Sequence, residues 1–350
     1  MPLLAERPAK RPTVAISTLL LCCWALLGAT SDTAGNLNGR PEVEGFIDEM
    51  VNKHEFRRGD LELLFGHAQL LPKVVKAMSA PVASPRPWYQ YRPNFLNSRR
   101  IGGGVEFWRD NSEALKQAKG TYGVPEEVVT AIIGVETRYG AVTGSYRLLD
   151  SLSTLAFDYP RRADFFRQEL ENFLLLARNE KMDPLSLRGS YAGAMGIPQF
   201  MPGSFLRYAV DFDGDGRRNL WGSDADAIGS VANYLQQYGW QPGGPVAVPA
   251  SVDGAGYQVV LADGAKPQRT VGELKKLGIA PLEPVADSQP AALIALENRD
   301  GTEYWLVFNN FYVITRYNHS THYAMAVFQL GREIAAGRQQ DGGSVATADR

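Results

Sequence analysis

Only two cysteines stand among the 350 residues, Cys22 and Cys23, side by side in an apolar run, and the rest of the chain has none. Neighbouring thiols of that kind are badly placed to bridge each other and no third exists, so a disulfide framework is excluded. An excess of one charge is also missing: 36 Lys plus Arg against 38 Asp plus Glu leave a net charge of −2. With neither a basic field nor a local basic patch, nucleic acid is excluded as a partner. No apolar run reaches the roughly 20 residues of a spanning helix. The longest, Val14 to Leu27, has about 14. Histidine is scarce, four in all, and no HExxH occurs; His319 and His322 lie three apart with His54 and His67 remote, which leaves no zinc set. What the chain does have is 45% apolar and 10% aromatic residues, enough to exclude disorder, on a length that predicts two to three domains.

Arg7, Lys10 and Arg11 precede the run from Val14 to Leu27, and Gly28, Ala29, Thr30 and Ser31 follow it, the layout of a secretory signal peptide over residues 1–30. Cutting near Ala29 or Ser31 would remove both thiols and release a cysteine-free protein into an oxidising compartment. A lipid anchor needs a small residue ahead of its cysteine, whereas Cys22 follows Leu21 and Cys23 follows Cys22. A soluble exported form is favoured, with a lipid-anchored form as the alternative.

Residues 31–40, rich in Ser, Gly, Asn and Asp, read as a flexible lead-in, with folding starting near Pro41. From there to Ser79 apolar residues recur at helical intervals broken at Gly59 and Pro72, which predicts two or three short helices. Prolines between Ala80 and Pro87 make an extended connector to an aromatic cluster of Trp88, Tyr89, Tyr91 and Phe95. Further helices are predicted over about 107–119, 125–138, 161–179, 226–238 and 321–336. From Pro242 to Trp305, Gly and Pro are frequent and the β-rich runs short, at Tyr257 to Leu261, Ala292 to Leu296 and Tyr304 to Phe308. That texture predicts a small β insertion with one short helix at Val271 to Leu277. The tail after Gly337 reads as disordered. The fold class is mainly α (α+β).

Four stretches carry chemistry. In the helix at 125–138, Val129, Ile132, Ile133 and Glu136 stand at spacings of 0, 3, 4 and 7, so a carboxylate occupies the apolar stripe. Withdrawal from water raises a carboxyl pKa towards that of a general acid working near neutrality; the alternative is a helix-end glutamate paired with a nearby arginine. Gly189 to Pro202 holds three glycines and two prolines, which cannot make an uninterrupted helix. There Ser190 and Gln199 read either as polar groups lining a cleft or as the caps of a tight turn. Asp211, Asp213, Asp215 and Asn219 place oxygens at positions 1, 3, 5 and 9 of an EF-hand loop, with the Arg217 carbonyl at 7 and glycine at 6, a Ca2+ pattern. Position 12 is Gly222 rather than glutamate, so the last ligand comes from further on, Asp226 or Asp224. From Phe311 to Tyr323 aromatics alternate with amides and hydroxyls. Tyr317, Asn318 and Tyr323 suit a sugar, whose C–H faces stack on rings and whose hydroxyls bind amides; the tyrosines read equally as core residues.

Together with Gly134-Val135-Glu136-Thr137-Arg138-Tyr139-Gly140, Tyr159-Pro160-Arg161-Arg162 and Arg316-Tyr317-Asn318, these stretches in this order resemble the lytic murein transglycosylase B family, glycoside hydrolase family 103, over about residues 41–335. The resemblance implies cleavage of the β-1,4 bond between N-acetylmuramic acid (MurNAc) and N-acetylglucosamine (GlcNAc) in peptidoglycan, leaving a 1,6-anhydro end without adding water. It implies that Glu136 is the sole acid/base, protonating the leaving oxygen and then taking the proton of the muramic C6 hydroxyl as that oxygen attacks C1. Ser190 and Gln199 would hold the sugar at the cleavage point, Tyr317, Asn318 and Tyr323 would line the cleft, and Arg161 and Arg162 would meet peptide or lactyl carboxylates. Tyr91 and Tyr234 match family positions less closely. The implied partners are glycan strands, with cell-wall synthesis or turnover proteins beside them, in the periplasm.

The implied fold has a lysozyme-like core at 106–241 carrying a structural Ca2+ that the chemistry does not need. A helical domain at 41–105 is joined by 320–336, a small β domain occupies 242–308, and 309–336 returns to the core and helical domain. A water-using muramidase and a non-catalytic peptidoglycan-binding scaffold are the rival readings; a desolvated glutamate argues against the scaffold.

Overall fold

The structure, a computed structural model, describes residues 37–81 and 86–348. The expected leader with its two cysteines, residues 31–36 and the middle of the connector lie outside these. Among the described residues no helix is long and apolar enough to cross a membrane.

The chain opens with α1 (Pro41–His54), α2 (Arg58–Gly66) and α3 (Pro72–Ser79). Proline starts α1 and α3, where its missing N–H removes no helical bond. The break between α1 and α2 falls at Glu55, in the left-handed region at φ 58°, and not at Gly59, which lies inside α2. Folding also begins before Pro41: Leu37 is fully buried and Arg40 pairs with Asp158 at 2.7 Å, so the end of the expected lead-in belongs to the core. A single apolar residue between polar ones has no period by which to announce itself.

After α4 (Trp88–Tyr91), two helices replace the one expected over 107–119, namely α5 (Ser98–Asp110) and α6 (Ser112–Tyr122), with Asn111 between them. Gly103 and Gly104 disguise the start of α5, but they sit against the Tyr139 ring where a Cβ would clash, so they serve packing rather than chain reversal. Next come α7 (Glu126–Thr137), β1 (Tyr146–Arg147), α8 (Leu148–Asp158), α9 (Ala163–Asn179), β2 (Arg188–Gly189), α10 (Pro202–Tyr208) and α11 (Asp224–Gln237). Helix α8 was not expected. Its Leu148, Leu149, Leu152, Leu155 and Ala156 fall at spacings of 0, 1, 4, 7 and 8 on one face; the polar Asp150, Ser151, Ser153 and Thr154 are buried too, with Asp150 and Thr154 accepting the N–H groups of Gln69 and Leu71.

The β region holds β3 (Ala247–Val252), α12 (Tyr257–Ala262), β4 (Arg269–Thr270), α13 (Val271–Lys275), β5 (Ile279–Pro281), β6 (Pro290–Asn298) and β7 (Gly301–Val307). The strands pair antiparallel in the order β4-β6-β7-β3-β5. Tyr257 to Leu261 is helical, not the expected strand; an apolar run that short does not distinguish the two. Val260, Val271, Leu274, Leu293, Leu306 and Phe308 build an apolar cluster separate from the main core.

The chain returns through α14 (Asn309–Tyr317) and α15 (Thr321–Ala348), which packs on α5, α7 and α14. The helix runs on past Gly337, where a disordered tail was expected. A Cβ at Gly337 would meet Val105 of α5 at 2.8 Å, so the glycine lets the two helices approach.

Leu37→Ala is expected to cost about 2–4 kcal/mol in urea unfolding, the range of a buried leucine; a loss near zero would return residue 37 to the lead-in.

Candidate active site

Glu136 stands in the last turn of α7 among buried Ile132, Ile133 and Val135. Protein crowds its carboxyl group on most sides and a partial opening to solvent remains. The Tyr323 hydroxyl, on α15, donates to its Oε1 at 2.6 Å. Withdrawal from water pushes its pKa from the ordinary 4.5 up to about 7, and the bond from Tyr323 pulls the other way. The alternative of a helix-end ion pair is not realised: among the described residues no charged side chain contributes to that shift. Tyr323 is 3% exposed, and burial followed by the charge of Glu136 holds its hydroxyl well above the usual phenol range.

Helix α7 ends abruptly. Arg138, Tyr139 and Gly140 take φ of 53°, 62° and 79°, a region that costs a side-chain-bearing residue about 1 kcal/mol or more. Three contacts hold the turn. Thr137 Oγ1 donates to the Ile197 carbonyl at 2.8 Å, and the Tyr139 hydroxyl donates to the Arg100 carbonyl at 2.7 Å. The Arg100 guanidinium in turn donates to the carbonyls of Gly134 and Val135. Sequence reasoning singled out neither Arg100 nor Thr137; Arg100 lies 34 positions from Gly134, and no local pattern links them.

The stretch from Gly189 to Pro202 folds as tight turns. Ser190 Oγ accepts from the N–H groups of Ala192 at 3.3 Å and Ala194 at 2.9 Å. Gln199, at φ 53°, donates through Nε2 to the carbonyls of Thr143 at 3.0 Å and Gly196 at 2.8 Å. Both side chains are turn caps. What they keep for a ligand is the Ser190 hydroxyl proton and the Gln199 carbonyl oxygen.

An aromatic cluster ties this loop to Glu136. The Tyr317 hydroxyl donates to the Pro198 carbonyl at 2.6 Å, and its ring lies 10° from parallel to that of Tyr323, centroids 6.4 Å apart. Tyr234 donates to the Arg316 carbonyl at 2.6 Å and packs on Phe200 and Tyr317. Tyr91 packs on Trp88, Phe95 and His322 and lies near enough to Tyr323 to help raise its pKa. Asn318 buries its Oδ1 without a hydrogen-bond partner. Such an orphan costs about 1–3 kcal/mol, which a donor on a ligand would recover. Arg161 and Arg162 have no hydrogen bond into this network among the described residues: the Arg162 guanidinium lies over Phe165 at 4.1 Å, and Arg161 is exposed.

In the Asp-rich loop, Asp211, Asp213 and Asp226 offer carboxylate oxygens that lie within 4.8 Å of one another. Asp226 is fully buried and accepts from the N–H groups of Phe212 and Asn219, both at 2.7 Å. Asp224 instead accepts from Asn111 Nδ2 at 3.3 Å, so Asp226 is the one gathered with the loop. Asp215 accepts the Arg217 N–H at 2.8 Å, and Asn219 at position 9 turns its Oδ1 to the N–H groups of Trp221 and Gly222. Three converging oxygens with like charges fit a hard divalent cation.

Removing the donor by Tyr323→Phe is expected to raise the Glu136 pKa beyond about 7. Carboxyl-carbon NMR would read it, and an unchanged or lowered value would contradict the role given to the Tyr323 bond.

Residues 38–332 match the Transglycosylase SLT domain family. The chain is 48% identical over 315 residues to the membrane-bound lytic murein transglycosylase B of Escherichia coli (strain K12), covering 87% of this chain and 86% of that one. Among solved structures it is similar to the soluble lytic transglycosylase SltB1 of Pseudomonas aeruginosa, at 49% identity and TM-score 0.82 over 85% of this chain and 100% of that one. It is also similar to E. coli Slt35 in complex with calcium, at 46% identity and TM-score 0.79 over 87% and 96%. P. aeruginosa SltB3 in complex with NAG-anhNAM-pentapeptide stands further off, at 31% and 0.76 over 84% and 78%. The mainly α, lysozyme-like fold with a small β insertion is the one these relatives share. A family match over most of the length, with close relatives of one activity, places the chain in the transglycosylase SLT-domain family as a lytic murein transglycosylase, a lyase acting on peptidoglycan.

Proposed function

We propose that the chain cleaves the β-1,4 MurNAc–GlcNAc bond without water, with Glu136 as its only acid/base. The observation that carries this is the Glu136 carboxyl group, held near pKa 7 with one phenolic donor beside it. Near neutrality it starts protonated and gives its proton to the leaving oxygen as the C1–O bond breaks. Tyr323 then donates to the resulting carboxylate, which takes the proton of the C6 hydroxyl while that oxygen closes on C1. The sum is one bond broken, one formed and the catalyst restored. A retaining glycosidase holds a second carboxylate about 5 Å away. Among the described residues no such charge contributes to the Glu136 shift, which speaks against a retaining muramidase with a carboxylate nucleophile. The anhydro-sugar ligand of SltB3 supports the same reading.

In this reading Ser190 and Gln199 meet the sugar at the cut through the hydroxyl proton and carbonyl oxygen left to them, and the Asn318 Oδ1 accepts from a substrate donor. Tyr317 and Tyr323 form one wall, with Tyr91 beside them and Tyr234 fixing the chain before Tyr317. Arg161 and Arg162 meet carboxylates at the rim. Asp211, Asp213 and Asp226, with Asp215 and the Arg217 carbonyl, would hold Ca2+, the ion in the Slt35 complex. It would cross-link the loop to α11 and take no part in the chemistry. The leader would export the chain to the periplasm, the soluble form favoured over a lipid-anchored one.

Incubated with purified sacculi, the wild type is expected to release anhydro-muropeptides, lighter by one water, and Glu136→Gln to lose about a thousandfold or more of that rate. Hydrated reducing ends would mean a muramidase, and retained binding with no product a scaffold. The same variant is expected to gain stability. A carboxyl group whose folded pKa lies above its unfolded one loses stability as pH rises from 4.5 to about 7, because the native state must then ionise a group kept from water. Glu136→Gln should therefore exceed wild type by roughly 1–3 kcal/mol near pH 8, with the gap closing near pH 4. For the metal, millimolar Ca2+ should raise Tm and a chelator reverse it. Asp213→Asn should abolish the response; a response that persists would place the ion elsewhere.

A further inference from the structure

A hollow of about 600 Å3 separates the turn between β6 and β7 from the chain that follows α4. Tyr89, Arg92 and Leu96 line one side, Arg299 and Glu303 the other. We propose that it binds the carboxylate-bearing end of the stem peptide carried by the glycan substrate, an inference that rests on the peptidoglycan reading above.

The first argument is the state of its arginines. The Arg299 guanidinium stacks over the Tyr89 ring, 5.7 Å from the centroid. Arg92 uses Nε to donate to Gln329 Oε1 at 3.0 Å, which leaves its two terminal nitrogens directed by that anchor and uncommitted. Neither forms an ion pair among the described residues, although Asp300 and Glu303 share the rim. Glu303 is occupied by the Asn298 amide and by Trp305 Nε1 at 3.3 Å. Two guanidinium forks, each fixed on its stem and neither in an ion pair, suit a carboxylate, which a planar fork binds by two parallel bonds. Tyr89 and Leu96 supply apolar surface for small side chains beside that carboxylate.

The second argument is reach. Arg92 follows Tyr91, which packs on His322 next to Tyr323 in sequence, and its anchor Gln329 lies six residues beyond Tyr323 on α15. Six residues of helix span about 9 Å. An extended five-residue peptide spans about 17 Å. A stem attached to a sugar near Glu136 is therefore long enough to enter the hollow, whereas the lactyl carboxylate of a bare glycan stays at the sugar and lacks that reach.

Two arms test this. In the first, a free stem pentapeptide and its carboxyl-amidated form are titrated into wild type and Arg299→Ala by calorimetry. The free acid should bind wild type about fivefold more tightly than the amide, and Arg299→Ala should erase the difference. Equal binding of acid and amide to wild type would overturn the proposal. In the second arm, wild type, Arg299→Ala and Arg92→Gln act on matched glycan strands with and without stems. Both variants should raise KM about fivefold on stem-bearing strands at unchanged kcat, and leave KM on stripped strands within twofold. Equal changes on both substrates, or a change in kcat alone, would mean a structural effect and overturn it. Arg299→Ala lies on an exposed turn, so it tests the pocket even if Arg92→Gln loses stability with its Gln329 bond. If wild type released no anhydro product from either strand, the enzymatic reading would fall, while the binding arm, which needs no turnover, would still decide the hollow.

Discussion

The hydrogen bond from Tyr323 to Glu136 joins residues 187 positions apart, and much of the architecture follows from having to make it. For the phenol to reach the carboxyl group, α15 must lie directly against α7. A small residue of α15 allows this: a Cβ at Gly331 would meet the Glu127 carbonyl at 3.0 Å, as one at Gly337 would meet Val105 of α5. The close crossing screens most of Glu136 from bulk water, and that exclusion raises its pKa. Packing and proton chemistry are here one fact seen from two sides.

The same economy governs the turn and the loop. Thr137 binds the Ile197 carbonyl from one side and Tyr317 binds that of Pro198 from the other. Two hydroxyls on separate helices thus fix the segment carrying Gln199, while the left-handed turn after Thr137 is held by Arg100 and Tyr139. Residues in sparsely populated backbone conformations, Arg138, Tyr139 and Gln199, lie in this turn and this loop. Such strain persists only where surrounding contacts over-determine it.

Much of this was legible in the sequence because it rests on period or spacing. Glu136 showed itself by falling on an apolar stripe, and the Asp-rich loop by its oxygen positions. Leu37, a lone apolar residue in a polar stretch, has no period to show; α8 has one, in Leu148, Leu149, Leu152, Leu155 and Ala156, and was missed all the same. Glycine misled in three places for one reason. At Gly59, at Gly103 and Gly104, and at Gly337 it lies within a helix, and at the last three it admits a neighbour rather than ending the element. The choice of Asp226 over Asp224 turned on Asn111, more than a hundred positions away, which claims the Asp224 carboxylate. Ser190 and Gln199 were read as cleft groups or turn caps and Tyr317 as a cleft or core residue; their bonds to the main chain are a matter of three-dimensional pairing that no local pattern encodes.

The length of the loop closed by Tyr323 and Glu136 has a consequence for the order of events in making the protein. Contacts between distant parts of a chain form late, after the local helices. Until α15 has docked, Glu136 sits in water as an ordinary carboxylate, ionised at neutral pH and unable to protonate a leaving group. On the proposed role of Glu136, a chain in which α15 has not docked therefore carries every residue of the site and none of its reactivity. The capacity to cut would arrive with α15, so the fold itself would delay the chemistry.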